Sequence, residues 1–289
     1  MRKCIICNLD KEDNSFNEEH VIPLILGNKT FTIQNVCTCC NSLMGEKIIA
    51  PFSTSDFIVA FRKRHDLRGH SRKAPAYKHL VTYKDGIKAV RNQSGEIEIG
   101  PQVLEDKDGF SIIGSNIQKL KEIADNKAKK AGKKWAYKIE ERILEGFSFP
   151  TGIDYRFILA AIVVCYETMF YLFGYDYLRD STAQELRSAI YEYIYHGNKM
   201  SAVQIGEINP LVAKAFFTQF HGDKNSVMIN LIFDEKNAGA TFIVDGVSLL
   251  NLKVGNNSDF RYGEGNLILI IEDGHLVKFD LDYTPPKVE

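Results

Sequence analysis

The sequence predicts an α+β chain: a metal-pinned module of two strands and a helix, then a mixed region with a helix pair and a β-rich C-terminal part. Three observations predict it. Two C-x-x-C pairs bracket residues 4–40, apolar and capped helical patterns occupy about 154–197, and alternating apolar runs with Asp-Gly turns fill the chain from about 201. The segments are 1–55 for the pinned module, 56–150 for a basic connecting region, and 151–289 for an α+β C-terminal domain.

In the first segment, Cys4 and Cys7 form one pair, and Cys37 and Cys40 form the other within VCTCCN. Two intervening residues let both thiolates of a pair turn toward one point, and four thiolates close a tetrahedral zinc site with no open position. Cys39 is surplus and is expected to point away. The start, MRKCIICN, has no apolar core of signal-peptide length. The cysteines therefore read as belonging to a reducing, cytoplasmic compartment, where paired cysteines more often bind metal than form disulfides. Between the pairs, HVIPLIL and TFTIQNV have strand character, LGN marks a turn, and CCNSLMGEKI reads as a short helix.

A structural zinc site needs neither carboxylates nor a histidine, yet EEHVIP lies between its halves. Glu19-His20, Asn35 before Val36-Cys37, and Asn41 after Cys40 together resemble the HNH endonucleases with their ββα-metal fold, over roughly residues 4–50. The resemblance implies roles residue by residue. His20 matches the general base, and histidine suits that task because its unperturbed pKa lies near working pH. Glu19 matches a carboxylate ligand of a catalytic cation, and Asn41 the second ligand through its side-chain oxygen. Asn35 matches the middle residue, which ties the strands together and orients the histidine loop. Glu18 also neighbours His20 and is a competing ligand, although its side chain alternates to the other face. The oxygen donors favour Mg2+ or Mn2+, separate from the structural Zn2+.

In the second segment, FRKRHDLRGHSRK (61–73) holds six lysines and arginines against Asp66 alone. It reads as a phosphate-contacting arm through Arg62, Lys63, Arg64, Arg68, Arg72 and Lys73, joined by Lys47 from the module. A solvated basic loop is the competing reading. His65 and His70 lie among these cations and are expected to meet phosphate or solvent. Short strands with Asp-Gly turns are expected over 78–114, and a basic amphipathic helix over 117–135 that frays at Gly132 and ends at Trp135.

The third segment begins after PTG (150–152). FILAAIVVCYETMFYLF is interrupted by Glu167 and Thr168 and is too short and polar for a membrane span, so it is expected to be a buried helix. Thr182 and Glu185 fit a capping box for a second helix closed by Gly197, with Leu186, Ala189, Ile190 and Tyr193 packing. Asp245-Gly246 and Asp273-Gly274 mark hairpin turns. This half carries no phosphate-binding glycine loop, and its suggested uses are target recognition, sensing or dimerisation.

With a net charge of −1, the whole molecule is no polycation, so any nucleic-acid face depends on local charge segregation. The reading is a metal-dependent DNA endonuclease, with restriction or phage defence suggested by resemblance in architecture. Its rivals are a non-cutting zinc module that binds nucleic acid, an RNA-directed nuclease and a protein-protein adaptor. A single site cuts one strand per event, so a double-strand cut requires a homodimer or two sequential visits.

Overall fold

A computed structural model describes residues 1–69, 80–83, 86–91, 97–106, 109–132, 138–141, 147–148, 155–199, 205–206, 227–256, 259–280 and 282–285. The fold is mixed helix and strand, and the chain divides into two compact units. One comprises Met1–Ser53, Ala60–Ala74 and Ile153–Glu289, and the other Thr54–Val59 and Pro75–Gly152. The segments 1–55 and 151–289, separate in the sequence reading, thus fall almost wholly in one unit.

That unit begins with β1 (Arg2–Lys3) paired to β2 (Asp10–Lys11) around a tight turn carrying Cys4 and Cys7. Asn8 closes the turn at φ 58, a conformation its short polar side chain tolerates. β3 (Glu19–His20) pairs with β4 (Thr32–Ile33) in the register Glu19↔Ile33 and His20↔Thr32. Both are far shorter than the alternation suggested. After His20 the chain reaches Pro23, which has no N–H to extend a ladder, and Leu24–Leu26 coil into a 3-10 turn closed by Gly27 at φ 94. α1 (Thr38–Met44) runs through a π-type turn at Gly45–Ile49 into α2 (Ala50–Ser53), so the helical run outlasts the expected one. α3 (Asp56–Arg64) follows, and Arg62, Lys63 and Arg64 form its last turn rather than an extended arm.

The second unit holds the expected short strands, β5 (Leu80–Tyr83), β6 (Lys88–Arg91), β7 (Ile97–Glu98), β8 (Gln102–Asp106) and β9 (Gly109–Ile113). α4 (Ile117–Lys130) then begins at Asn116, whose side chain accepts the Lys119 N–H at 3.1 Å, and β10 (Phe147–Ser148) completes a sheet of order β10-β5-β6-β7. No residue of α4 is buried, in keeping with its five lysines. Trp135 and the PTG boundary at 150–152 lie outside the described residues.

The first unit resumes with α5 (Tyr155–Phe173), a 3-10 turn at Gly174–Arg179, and α6 (Ser181–His196). Then come β11 (Ile205–Gly206), β12 (Val227–Phe233), β13 (Asn237–Val244), β14 (Val247–Asn256), β15 (Gly265–Glu272) and β16 (His275–Asp280). They form one antiparallel sheet of order β11-β14-β13-β12-β15-β16, with α5 and α6 packed on β14. Both Asp-Gly pairs are hairpin turns with positive φ at each residue, which the right-handed strand twist requires. α5 with its 3-10 extension is long and apolar enough to cross a membrane by length and composition, but 72% of its most apolar window is buried within the fold. It is the core helix of this unit.

The N-cap of α6 is Asp180, not the Thr182 of the expected capping box. Its Oδ1 accepts the N–H groups of Thr182 (2.7 Å) and Ala183 (3.1 Å). Its Oδ2 accepts Asn256 N–H (2.6 Å) and the Tyr262 hydroxyl (2.7 Å), so one fully buried carboxylate joins helix to sheet. Asp180→Ala is expected to cost about 3 kcal/mol or more, since it orphans several buried donors. Urea unfolding measures this, and a loss below about 1 kcal/mol would show that the node is dispensable.

Candidate functional site

The cysteine pairs converge because each sits at the end of a regular element. Cys37 is the N-cap of α1 and Cys40 lies in its first turn, while Cys4 and Cys7 ride the β1–β2 turn. The four sulfur atoms lie within 4.8 Å of one another. Donors surround them: Cys37 N–H reaches the Cys4 sulfur at 3.3 Å, and Lys11 Nζ reaches the Cys37 sulfur at 3.1 Å. A hydrogen bond shared with Cys40 pulls the Cys4 thiol down to about 4 and pushes Cys40 up. Clustered thiolates stabilised by donors fit a soft tetrahedral cation, and the cluster suggests zinc binding. Cys39 is exposed, as anticipated, and lies 3.5 Å from the Tyr195 hydroxyl, which also sits 3.4 Å from Cys40.

The C-terminal helices hold this knuckle by its main chain. Tyr166 of α5 donates its buried hydroxyl to Ile5 O at 2.7 Å, Tyr175 donates to Lys3 O at 3.0 Å, and Arg187 of α6 to Ile6 O at 3.4 Å. The β15–β16 turn holds the opposite side, where Lys29 N–H donates to Gly274 O at 2.8 Å.

His20, Glu19, Glu18 and Asn41 line one open cleft of about 610 Å³, together with Arg62 and Arg68. β3 presents Glu19 and His20, and α1 presents Asn41 one residue past the second cysteine pair. The Asn41 amide nitrogen donates to Asn17 Oδ1 and Glu18 O, both at 3.2 Å, which directs its Oδ1 away as an acceptor. Burial pushes the Glu19 carboxyl up to about 8, so this group gains much from a cation. Glu18 is exposed.

Asn35 lies elsewhere: its side chain donates to the Tyr175 hydroxyl at 2.9 Å and so ties the knuckle to the 3-10 turn after α5. The part expected of it belongs to Asn28, which is fully buried. Asn28 Nδ2 donates to Ile22 O (2.6 Å) and Phe31 O (2.8 Å), and Oδ1 accepts the Phe31 N–H (2.8 Å). It thereby closes the loop between β3 and β4. The sequence signal was LGN, which was read only as a turn. Asn28→Ala is expected to destabilise the protein by about 3 kcal/mol, because three buried partners lose their bonds together. Urea unfolding checks this, and an unchanged midpoint would contradict the role.

The basic residues are not one arm. Lys47 is committed to the Ile194 carbonyl near the end of α6, so the expected phosphate contact is corrected: a helix C-terminus holds that ammonium. Arg64 pairs with Asp245 in the β13–β14 turn, and His65 lies 4.0 Å from the same carboxylate, packed on Phe61. Arg68 pairs with Asp66 at 3.2 Å on the cleft rim. Lys63 is half-buried, and Arg62 is buried. Arg72, Lys73 and His70 lie outside the described residues.

Glu167 of α5 is fully buried, neither of its oxygens has a hydrogen bond among the described residues, and it feels the charges of Glu19 and Cys4. Burial first, and those charges second, hold its carboxyl well above the ordinary 4.5. The folded protein therefore keeps a proton that the unfolded chain releases above that value, and stability falls as pH rises past it. Glu167→Met should gain about 1–3 kcal/mol at pH 8 and little at pH 4, in buffer without magnesium or manganese. Thermal unfolding at the two pH values tests this, and a variant less stable at pH 8 would contradict it.

Residues 4–57 match the model of a family described as HNH endonuclease, the same family that the motif resembles. No curated protein and no solved structure matches the chain. The N-terminal part is thus similar to a nuclease domain, and its four clustered cysteines could hold a metal ion.

Proposed function

We propose that this protein is a metal-dependent endonuclease that hydrolyses DNA phosphodiester bonds, with His20 as general base and Glu19 and Asn41 as ligands of a hard divalent cation. The observation that carries the reading is the joint presence of His20, Glu19 and Asn41 in one cleft, beside the four-thiol cluster, within the segment matched to nucleases. The donor set fits: two side-chain oxygen donors, one on a carboxylate whose burial opposes its charge, suit Mg2+ or Mn2+. The four thiols suit Zn2+ as a separate, structural ion.

His20 accepts a proton from water as the water oxygen attacks phosphorus, the bond to the 3′ oxygen breaks, and that oxygen takes up a proton from solvent. When bound, the divalent cation polarises the phosphate and stabilises charge on the leaving 3′ oxygen. Glu19 holds its position through β3, and Asn41 through its bond to Glu18 O. Restriction or phage defence is the proposed setting, supported by the pairing of a cutting module with a larger C-terminal part. Double-strand cutting by this single centre calls for a homodimer or two visits.

The test is plasmid and RNA cleavage by wild type and His20→Ala with magnesium, manganese or EDTA. Expected are cutting of DNA that needs the cation and a rate about 10²–10⁴-fold lower in His20→Ala. DNA binding without cutting by either protein would favour a non-cutting module, cutting of RNA alone would reassign the substrate, and full activity of His20→Ala would remove His20 from the mechanism.

A further inference from the structure

The fold invests in one cation that the proposed chemistry has not used. Arg62, in the last turn of α3, is only 8% exposed, yet it lines the same cleft as His20, Glu19 and Asn41. A buried guanidinium is costly unless it is paired and fully hydrogen-bonded. Among the described residues, no carboxylate lies within 4.0 Å of it, although Glu18 and Glu19 line the cleft too.

Its bonds go to main-chain carbonyls, from Nη2 to Arg68 O at 3.1 Å and from Nη1 to Ser53 O at 3.4 Å, while buried Nε has no acceptor among the described residues. A guanidinium carries five N–H groups, so these two bonds fix the plane of the fork without exhausting it. The neighbouring arginines show the contrast: Arg64 answers Asp245 and Arg68 answers Asp66. Arg62 is thus a rigid cation in a cleft whose carboxylates are turned to other work. An anion is the missing partner.

We propose that Arg62 is the phosphate-binding group of this cleft, its guanidinium receiving the non-bridging oxygens of the phosphodiester set against His20. The proposal rests on the nuclease reading and deepens it. The planar fork matches a tetrahedral phosphate through two parallel N–H···O bonds, which an ammonium cannot reproduce. Because the carbonyls of Ser53 and Arg68 hold the fork before substrate arrives, little reorganisation opposes its action on charge that builds at the phosphate. Arg62 lies beyond the matched nuclease segment 4–57, on the helix that follows it.

The experiment compares wild type, Arg62→Gln and Arg62→Lys in the full chain, with folding checked by circular dichroism and thermal unfolding. On a labelled duplex with magnesium or manganese, Arg62→Gln is expected to lose roughly 100-fold or more in kcat, a loss of the size found on removing one donor to a developing oxyanion. Guanidinium ion added to the buffer should restore part of that rate, which a merely structural arginine would not show. Arg62→Lys keeps the charge and the stem, and it is expected to fall between the two. It decides the matter if Arg62→Gln fails to fold, since wild-type cutting by Arg62→Lys would overturn the role of the fork.

A second readout is independent of cutting: calorimetric titration with thymidine 3′,5′-bisphosphate. Wild type should bind it, with affinity about tenfold weaker in Arg62→Gln or Arg62→Lys, the size of one charge-assisted bond. Binding that depends on Arg62 in a protein that cuts nothing would sink the nuclease reading and leave this proposal standing. Cutting and binding that ignore Arg62 would do the reverse, and a folded wild type that binds no bisphosphate would overturn the proposal.

Discussion

The convergence of four sulfur atoms within 4.8 Å is the constraint on which the N-terminal module depends. The strands that carry the histidine and its partner are two residues each, far too short to hold themselves together by ladder hydrogen bonds. What fixes them is the closure of the chain between residues 7 and 37, together with Asn28 inside the loop so formed. Metal bound by such a cluster contributes directly to folding, on the order of 10 kcal/mol in small zinc-dependent domains.

The knuckle is also not free-standing. Three of its main-chain carbonyls, at Lys3, Ile5 and Ile6, receive side-chain donors from α5, α6 and the turn between them. Lys47 returns the contact by capping the last turn of α6. The C-terminal sheet adds two more supports through its Asp-Gly turns, one on the loop at Lys29 and one on the end of α3. The cleft is lined by residues between Asn17 and Gly69, and the elements that support it lie far along the chain. Glu19 in the cleft and Glu167 in α5 resist ionisation because burial removes their water, and the same loss of water lowers the Arg62 pKa.

The sequence disclosed what is local. Each C-x-x-C pair is a short pattern whose metal-binding reading follows from spacing, and the Glu-His dyad and the asparagine after the last cysteine are short patterns that carry the family resemblance. The hairpin turns were legible for the same reason, because Asp-Gly supplies the two positive φ values that such turns need. The misses around the site were questions of partner. Asn28 looked like a turn residue because its three bonds are visible only once the loop has closed. Lys47 and Arg64 looked like phosphate contacts because a sequence cannot show that Ile194 O and Asp245 reach them first. Asp180 lost the cap to Thr182 on pattern alone, one turn-setting acid standing just ahead of a plausible capping box. Arg62 was grouped with an exposed basic arm, although Ile58, Val59 and Phe61 beside it are buried and already marked that turn as enclosed.

The central claim is that this fold keeps two metal functions apart, a frame of four thiols and a working centre of oxygen donors. Metal analysis of the purified protein, run beside its cleavage rate while magnesium is removed by dialysis and then restored, tests that separation most directly. The account predicts one equivalent of tightly held zinc that does not change while activity disappears and returns with magnesium. Activity that follows the zinc content itself, or a folded and active protein holding no zinc, would contradict it.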